Sequence, residues 1–400
     1  MSPVPTEMAG PTELTRPTEL TGPTELTRPT GPTRPLRYHW SLSSVDDPLR
    51  RSRAYDTLSG VPDLDRHIAF SRLAERCGID SLLVAIGSGR PEPYSWATAL
   101  GRATERIRFL CAIRAGLSTP AYFVQQVNTV SALIGGRICL NVVTGHSREN
   151  RIYGDFLEHG ERYDRNDEFW RICHALWRRD GPVTFTGRYY QVEDARLNTP
   201  FACPDRDRPE IFFAGSSPQA IAQAAGHADC LFQLAKPPAE IAPVVAALAP
   251  SGVEVGMQVS MMARPTREEA VRAAVEMVAR LGESSRQVHR ELRRGSDSDA
   301  YTSVYALADG ESHWATPYLW TGAVPVLGAP AGALVGGPGE IADAICQYRS
   351  VGVSNLMFVG WPDFETLEFF AQEIMPIVRH REAAAGRSAA LATPVTGHDR

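Results

Sequence analysis

Two short polar clusters in this chain have the residue types and spacing of a phosphate-binding surface. In the first, the apolar run Glu210–Gly215 (EIFFAG) leads directly into Ser216, Ser217 and Pro218. Ser217 is a natural helix N-cap, Pro218 suits the first helical position, and Gly226 reads as the stop. The unpaired N–H groups of such a helix start, with two serine hydroxyls, form a cradle for a phosphate monoester. A well-capped structural helix is the plainer reading of the same residues. The second cluster is His159-Gly-Glu-Arg-Tyr163, opening a helix whose apolar face is Phe169, Ile172, Leu176 and Trp177. His159 and Tyr163 lie four apart, share one helix face and can both reach one phosphate as donors. A surface turn with solvated Glu and Arg accounts for the spacing equally well.

These clusters need a scaffold, and the chain supplies a rhythmic one. Eight short apolar runs, each followed by a helical pattern, recur at 36–42, 79–86, 107–113, 137–143, 210–215, 228–234, 253–262 and 354–360. Runs that are nearly continuously apolar and rich in Val, Ile, Leu and Phe are strands buried on both faces. Alternation with helices implies parallel pairing and right-handed crossovers, and eight units are what a (β/α)8 TIM barrel requires. An open doubly wound sheet is the competing layout.

In such a barrel the active site lies at the C-terminal ends of the strands. That rule selects Arg114 after strand three, and Asn141, Thr144 and His146 after strand four. It adds Gly215, Ser216 and Ser217 after strand five, Ser260 on strand seven and Trp361 after strand eight. Arg114, His146, Ser260 and Trp361 are the candidate catalytic, substrate-side residues. His146 is the candidate acid or base, since an imidazole near its ordinary pKa of about 6.5 moves protons at neutral pH. A solvated loop histidine is the alternative.

The usual hydrolytic sets are missing from the sequence. HExxH, GxSxG and any plausible spacing of metal ligands are absent, so no metal is expected. Gly87-Ser-Gly89 lacks the third glycine of a dinucleotide fingerprint. A site of amides, hydroxyls, aromatics and Arg suits a protein that borrows its chemistry from an organic cofactor. Composition adds bounds: 43% hydrophobic and 22% charged residues over 400 positions give ample core for one large domain. A net charge of −5 without a basic stripe argues against nucleic acid and anionic membranes as partners. Seven scattered cysteines without a CxxC pair point to a reducing, cytoplasmic setting. Residues 1–35 carry a recurring PTELTR-like hexapeptide with too little to bury, and read as a disordered tail. The barrel is expected over 36–382 and a loose tail over 383–400.

In four longer motifs the chain resembles the bacterial-luciferase-like flavin monooxygenases, in particular the alkanesulfonate monooxygenase branch. LNVVTG at 140–145, HGERYDRNDEF at 159–169, FFAGSSPQA at 212–220 and LVGGPGEIADAI at 334–345 carry the resemblance. It implies reduced FMN (FMNH2) supplied by a separate NAD(P)H:flavin reductase, O2 as co-substrate, a small organic substrate and a homo-oligomer, dimer or tetramer. It implies that His159, Tyr163, Ser216 and Ser217 hold the FMN phosphate, with Asn141 and Thr144 beside the ring. It also implies that 282–337, after strand seven, form a lid, with His313, Trp314, Tyr318 and Trp320 as candidate lining residues. On the substrate side the chain departs from that branch. Glu92 stands near an expected Cys, Ser260 replaces His, Leu327 replaces a lid Arg and Trp361 replaces Tyr. Simple alkanesulfonates are therefore expected to be poor substrates. A deazaflavin-dependent oxidoreductase of the same barrel type, or a non-catalytic flavin-binding homologue, remain the alternatives.

Overall fold

The computed structural model describes residues 34–42, 63–145 and 147–392. Nearly all of the repeat tail expected at 1–35, and His146, lie outside the described residues. Among the described residues twelve strands form: β1 (Arg37–Ser41), β2 (Ser81–Val84), β3 (Arg108–Ile113), β4 (Ile138–Val142), β5 (Val183–Thr186), β6 (Gln191–Ala195), β7 (Glu210–Ala214), β8 (Cys230–Leu234), β9 (Glu254–Ala263), β10 (Leu319–Trp320), β11 (Ala333–Gly336) and β12 (Val353–Gly360).

Eight of these are the eight apolar runs of the sequence. They pair in parallel in the order β1–β2–β3–β4–β7–β8–β9–β12, and β12 returns to β1. The ring is closed, so the fold is a (β/α)8 barrel and not an open sheet. Closure leaves no strand edge among the eight, and helices cover the outside, as continuous apolar strands demand.

The barrel is filled, not hollow. Leu83, Leu110, Ala112, Cys139, Phe212, Phe232 and Met357 pack as one internal cluster. Among them His39 is fully buried, with Ser81 Oγ 2.7 Å from Nδ1 and Asn355 Oδ1 3.0 Å from Nε2. The Asn355 amide nitrogen donates to Glu254 and Ser354, so its oxygen is the acceptor and His39 carries its proton on Nε2. Burial, followed by the charge of Arg37, pushes this imidazole down to about 4. At the N-terminal end of the strands, buried Glu210 takes Arg37 Nη1 at 2.6 Å on one oxygen and Arg108 Nη1 at 2.6 Å on the other. Burial alone would raise this carboxyl. The hydrogen bond and charge of Arg37, with Arg108 and Arg206 beside it, outweigh burial and hold it far below the usual carboxylate range.

Three features depart from plain barrel rhythm. A hairpin, β5–β6, follows the His159–Arg178 helix, whose expected apolar face is buried throughout. The strand β9 is ten residues long and has three partners: Glu254–Gln258 lie against β8, Val255–Met261 against β12 and Ser260–Ala263 against β11. Between β9 and β11 the chain forms the Arg267–Arg294 helix, interrupted at Gly282 (φ 70°), and the Asp299–Ala308 helix. The final helix runs Met375–Ala392, past Ala383, and 393–400 lie outside the described residues.

Candidate active site at the barrel mouth

A cavity of about 520 Å³ opens at the C-terminal ends of the strands. Its walls come from Leu83–Ile86 of β2 and its loop, Arg114 after β3, Asn141 of β4, and Ala214–Ser217 after β7. Gln233 of β8 and Gln258 of β9 complete the floor. His289, Tyr305, Leu327 and Pro330 of the insertion after β9 lie over it. Arg114, Asn141, Thr144, His159, Tyr163, Gly215, Ser216 and Ser217 thus all border one cavity.

One corner brings a helix start and two hydroxyls together. The Pro218–His227 helix starts where expected: Ser217 Oγ accepts from Ala220 N at 3.1 Å, with Pro218 at the first position. It runs one residue past Gly226, and His227 Nε2 lies 2.9 Å from Asp167 Oδ1. A Cβ on Gly215 would stand 2.7 Å from the Ala220 Cβ, so glycine is what lets β7 turn directly into the helix. Across from it, the Tyr163 hydroxyl lies 3.1 Å from Ser217 Oγ, and both residues are buried. The His159 and Tyr163 rings meet edge-on at 5.2 Å, as their spacing requires.

A charged partner of this corner carries no sequence motif. Arg162 is not solvated; it is 2% exposed, its Nη1 donates to Leu157 O at 3.0 Å and its Nη2 to Asp297 Oδ2 at 2.6 Å. The same carboxylate oxygen lies 3.3 Å from His159 Nδ1. Asp297 belongs to the loop between the two insertion helices, so an acidic side chain from above already sits on the cationic corner.

On β4, the strand next to β7, Asn141 is buried and its Oδ1 has no hydrogen-bond partner. The Thr144 carbonyl accepts from Asn150 Nδ2 at 3.0 Å, and Gln233 Nε2 donates to Gly215 O at 2.5 Å. Arg114 pairs with Glu149, which the sequence reading passed over.

Two candidate residues do not reach the cavity. Ser260 is fully buried and donates to Pro330 O at 3.3 Å, so it supports a residue that lines the cavity without lining it. Trp361 is 1% exposed and packs in the apolar cluster with Val326, Leu327, Ala333 and Val359. Glu92 is a helix cap, its carboxylate accepting from Tyr94 N at 3.0 Å and Ser95 N at 2.8 Å. The aromatics of the insertion also lie away from the cavity. Trp320 is core, and Arg267 stacks on Trp314 at 4.6 Å. His289 and Tyr305, which no motif marked, line the cavity in their place.

A family model of luciferase-like monooxygenases matches residues 40–355. The chain belongs to the luciferase-like monooxygenase family. It is accordingly a flavin-dependent oxidoreductase of that family. Solved structures agree on the fold. A riboflavin lyase with modified FMN and riboflavin superposes with a TM-score of 0.66 at 20% identity, over 87% of this chain and 92% of that one. The EDTA monooxygenase of Chelativorans sp. BNC1 gives 0.64 at 21%, over 87% and 94%. An F420-dependent secondary alcohol dehydrogenase gives 0.62 at 18%, over 86% and 100%. The fold therefore carries flavin-type cofactors of both the FMN and the deazaflavin kind. Among the described residues, no cluster of His, Cys, Asp or Glu is arranged to hold a metal ion, and no helix is long and apolar enough to cross a membrane.

Proposed function

We propose that this luciferase-like enzyme is a two-component monooxygenase that takes FMNH2 from a separate NAD(P)H:flavin reductase and oxygenates a small organic substrate with O2. The observation that carries the reading is the corner where buried Arg162 holds the Asp297 carboxylate and donates to His159 Nδ1 at 3.0 Å, beside the Tyr163–Ser217 pair. Asp297 is a stand-in for the anion such a corner is made to hold, and a phosphate monoester supplies the same charged oxygens. Tyr163, Ser216 and Ser217 would donate to that phosphate, with the helix start behind them. Asn141, with its idle oxygen, would accept from a ring N–H. Bound FMNH2 supplies the electrons that activate oxygen; the chain binds it, orients it and keeps water out. The insertion over the cavity serves the last task, and we infer that it acts as a lid.

Leu327 borders the cavity where the alkanesulfonate branch is expected to carry Arg, which supports a substrate other than a simple alkanesulfonate. A homo-oligomer is part of the proposal.

The test is an anaerobic titration of the full chain with FMNH2, oxidised FMN and a reduced deazaflavin, followed by mixing with air-saturated buffer. Preference for FMNH2 and oxygen uptake support the reading. Hydride transfer from deazaflavin without oxygen uptake would replace it, and failure to bind either would end it. A further expected result concerns Asp297. Its carboxylate competes with the phosphate for Arg162, so Asp297→Asn should lower the FMN dissociation constant several-fold in the same titration. Weaker binding in that variant would show that Asp297 supports the site and does not compete for it.

A further inference from the structure

We infer that Asn166 and Gln223, neither of which lines the cavity, are positioning residues for the cofactor phosphate. They set the spacing of Tyr163 and Ser217, and through it the preference for a flavin that carries a phosphate. The inference rests on reading the Tyr163–Ser217 corner as the FMN phosphate site.

The two amides form a relay whose direction is fixed at both ends. Trp170 is fully buried, and its indole Nε1 donates to Asn166 Oδ1 at 3.2 Å. An indole N–H can only donate, so the Asn166 oxygen faces it and the amide nitrogen points away. That nitrogen donates to Gln223 Oε1 on the Pro218–His227 helix, and Gln223 Nε2 donates in turn to the Tyr163 carbonyl. Turning either amide over would set oxygen against oxygen. Asn166 is 3% exposed, so a broken link there leaves a buried polar group unpaired. The relay grips Tyr163 by its backbone, which places the residue without occupying the hydroxyl it presents.

The links tie two helices that run in the same direction. Tyr163 meets Ser217, Asn166 meets Gln223, and Asp167 accepts from His227 Nε2 at 2.9 Å, so the contacts climb together along both helices. Behind them the His174 and His227 rings stack at 5.5 Å and 17°. The two helix starts therefore lie side by side at the corner. Their partial positive charges repel each other there and favour an anion between them. The relay and the His227–Asp167 tie hold the starts together against that repulsion, with the Tyr163 hydroxyl 3.1 Å from Ser217 Oγ. Two donors held at one spacing lose little freedom when a phosphate engages both, which is how preorganisation adds affinity.

The experiment is a fluorescence titration of the full chain with oxidised FMN and with riboflavin, which lacks only the phosphate, with a thermal melt alongside. The wild type should bind FMN about 100-fold more tightly, the scale of two charge-assisted hydrogen bonds. Gln223→Met keeps the bulk and adds no charge, but makes neither link. It should weaken FMN about tenfold and leave riboflavin within about twofold. Gln223→Asn, too short to span both partners, should do the same and serves if the Met variant does not fold. The wild-type ratio of FMN to riboflavin affinity retained in these variants would overturn the inference. Equal loss of both flavins would overturn it too, by showing that Gln223 serves the fold alone. A wild type that binds the two flavins equally would remove the phosphate corner from the proposed function, and the inference with it.

Discussion

Glu210→Ala should destabilise the barrel by about 3–5 kcal/mol, seen as a urea midpoint lower by about 1 M. The carboxylate is 6% exposed and takes both Arg37 and Arg108 at 2.6 Å; removing it leaves two largely buried cations facing each other. The pH dependence has a definite sign. A carboxyl whose folded pKa lies below its ordinary value contributes stability above about 4.5, which is lost as pH falls through the folded value. Two histidines push the same way from higher pH. His39, lowered from 6.5 to about 4, and His174, lowered from 6.5 to about 3 mainly by burial, stay neutral in the fold but take protons when unfolded. Stability should therefore begin to fall below about pH 6.5 and fall more steeply below about 4.5. Glu210→Gln should flatten the second, steeper part, to which lowered carboxyls such as Asp155 and Asp167 also contribute, and leave the first. A variant as stable as the wild type at pH 7 would mean that the network is not a keystone of the barrel floor.

Ser217→Asp should abolish FMN binding while leaving the fold intact. Aspartate is as good an N-cap as serine, so the Pro218–His227 helix keeps its first hydrogen bond. The added negative charge, however, points where the phosphate would be held and faces the Tyr163 hydroxyl. Ser217→Ala makes the contrasting case: it loses the cap, about 1 kcal/mol, and one phosphate donor. Combined with Tyr163→Phe it should raise the FMN dissociation constant about 10- to 100-fold. Fluorescence titration of FMN with a thermal melt alongside separates the two effects. Wild-type FMN affinity in Ser217→Asp would remove this corner as the phosphate site.

The barrel was legible because its strands are buried on both faces and so are apolar without interruption. All eight appear where their composition put them. The short strand β11 was not, since four residues of Ala-Leu-Val-Gly carry no period, and its pairing depends on β9 running beyond the barrel. That overrun also explains Ser260. The strand does not end there, and Ser260 meets the Pro330 carbonyl of the insertion. After β12 the chain folds back, with Trp361 N donating to Met261 O at 3.0 Å, so Trp361 turns into the packing beneath the insertion. Around the proposed phosphate corner, local spacing brought out Ser217, Tyr163 and His159, which border one cavity. Arg162 was misjudged because a charged residue in an exposed-looking turn reads as solvated. Its partner Asp297 is 135 positions away, a distance no local pattern spans.

The run of β9 beyond the barrel into a ladder with β11 has a consequence for how such an enzyme can diversify. The stretch over the cavity leaves from the end of β9 and returns into β11, so both its ends are stitched to neighbouring strands about 5 Å apart. It is an exchangeable cassette on a fixed socket. Replacing the chain between Arg264 and Gly332 changes what roofs the cavity without touching barrel closure, which runs through β8, β9 and β12 below it. Chimeras that keep the Ser260–Ala263 and Ala333–Gly336 ladder should fold, and they should exchange substrate range while keeping the proposed cofactor corner at Tyr163 and Ser217.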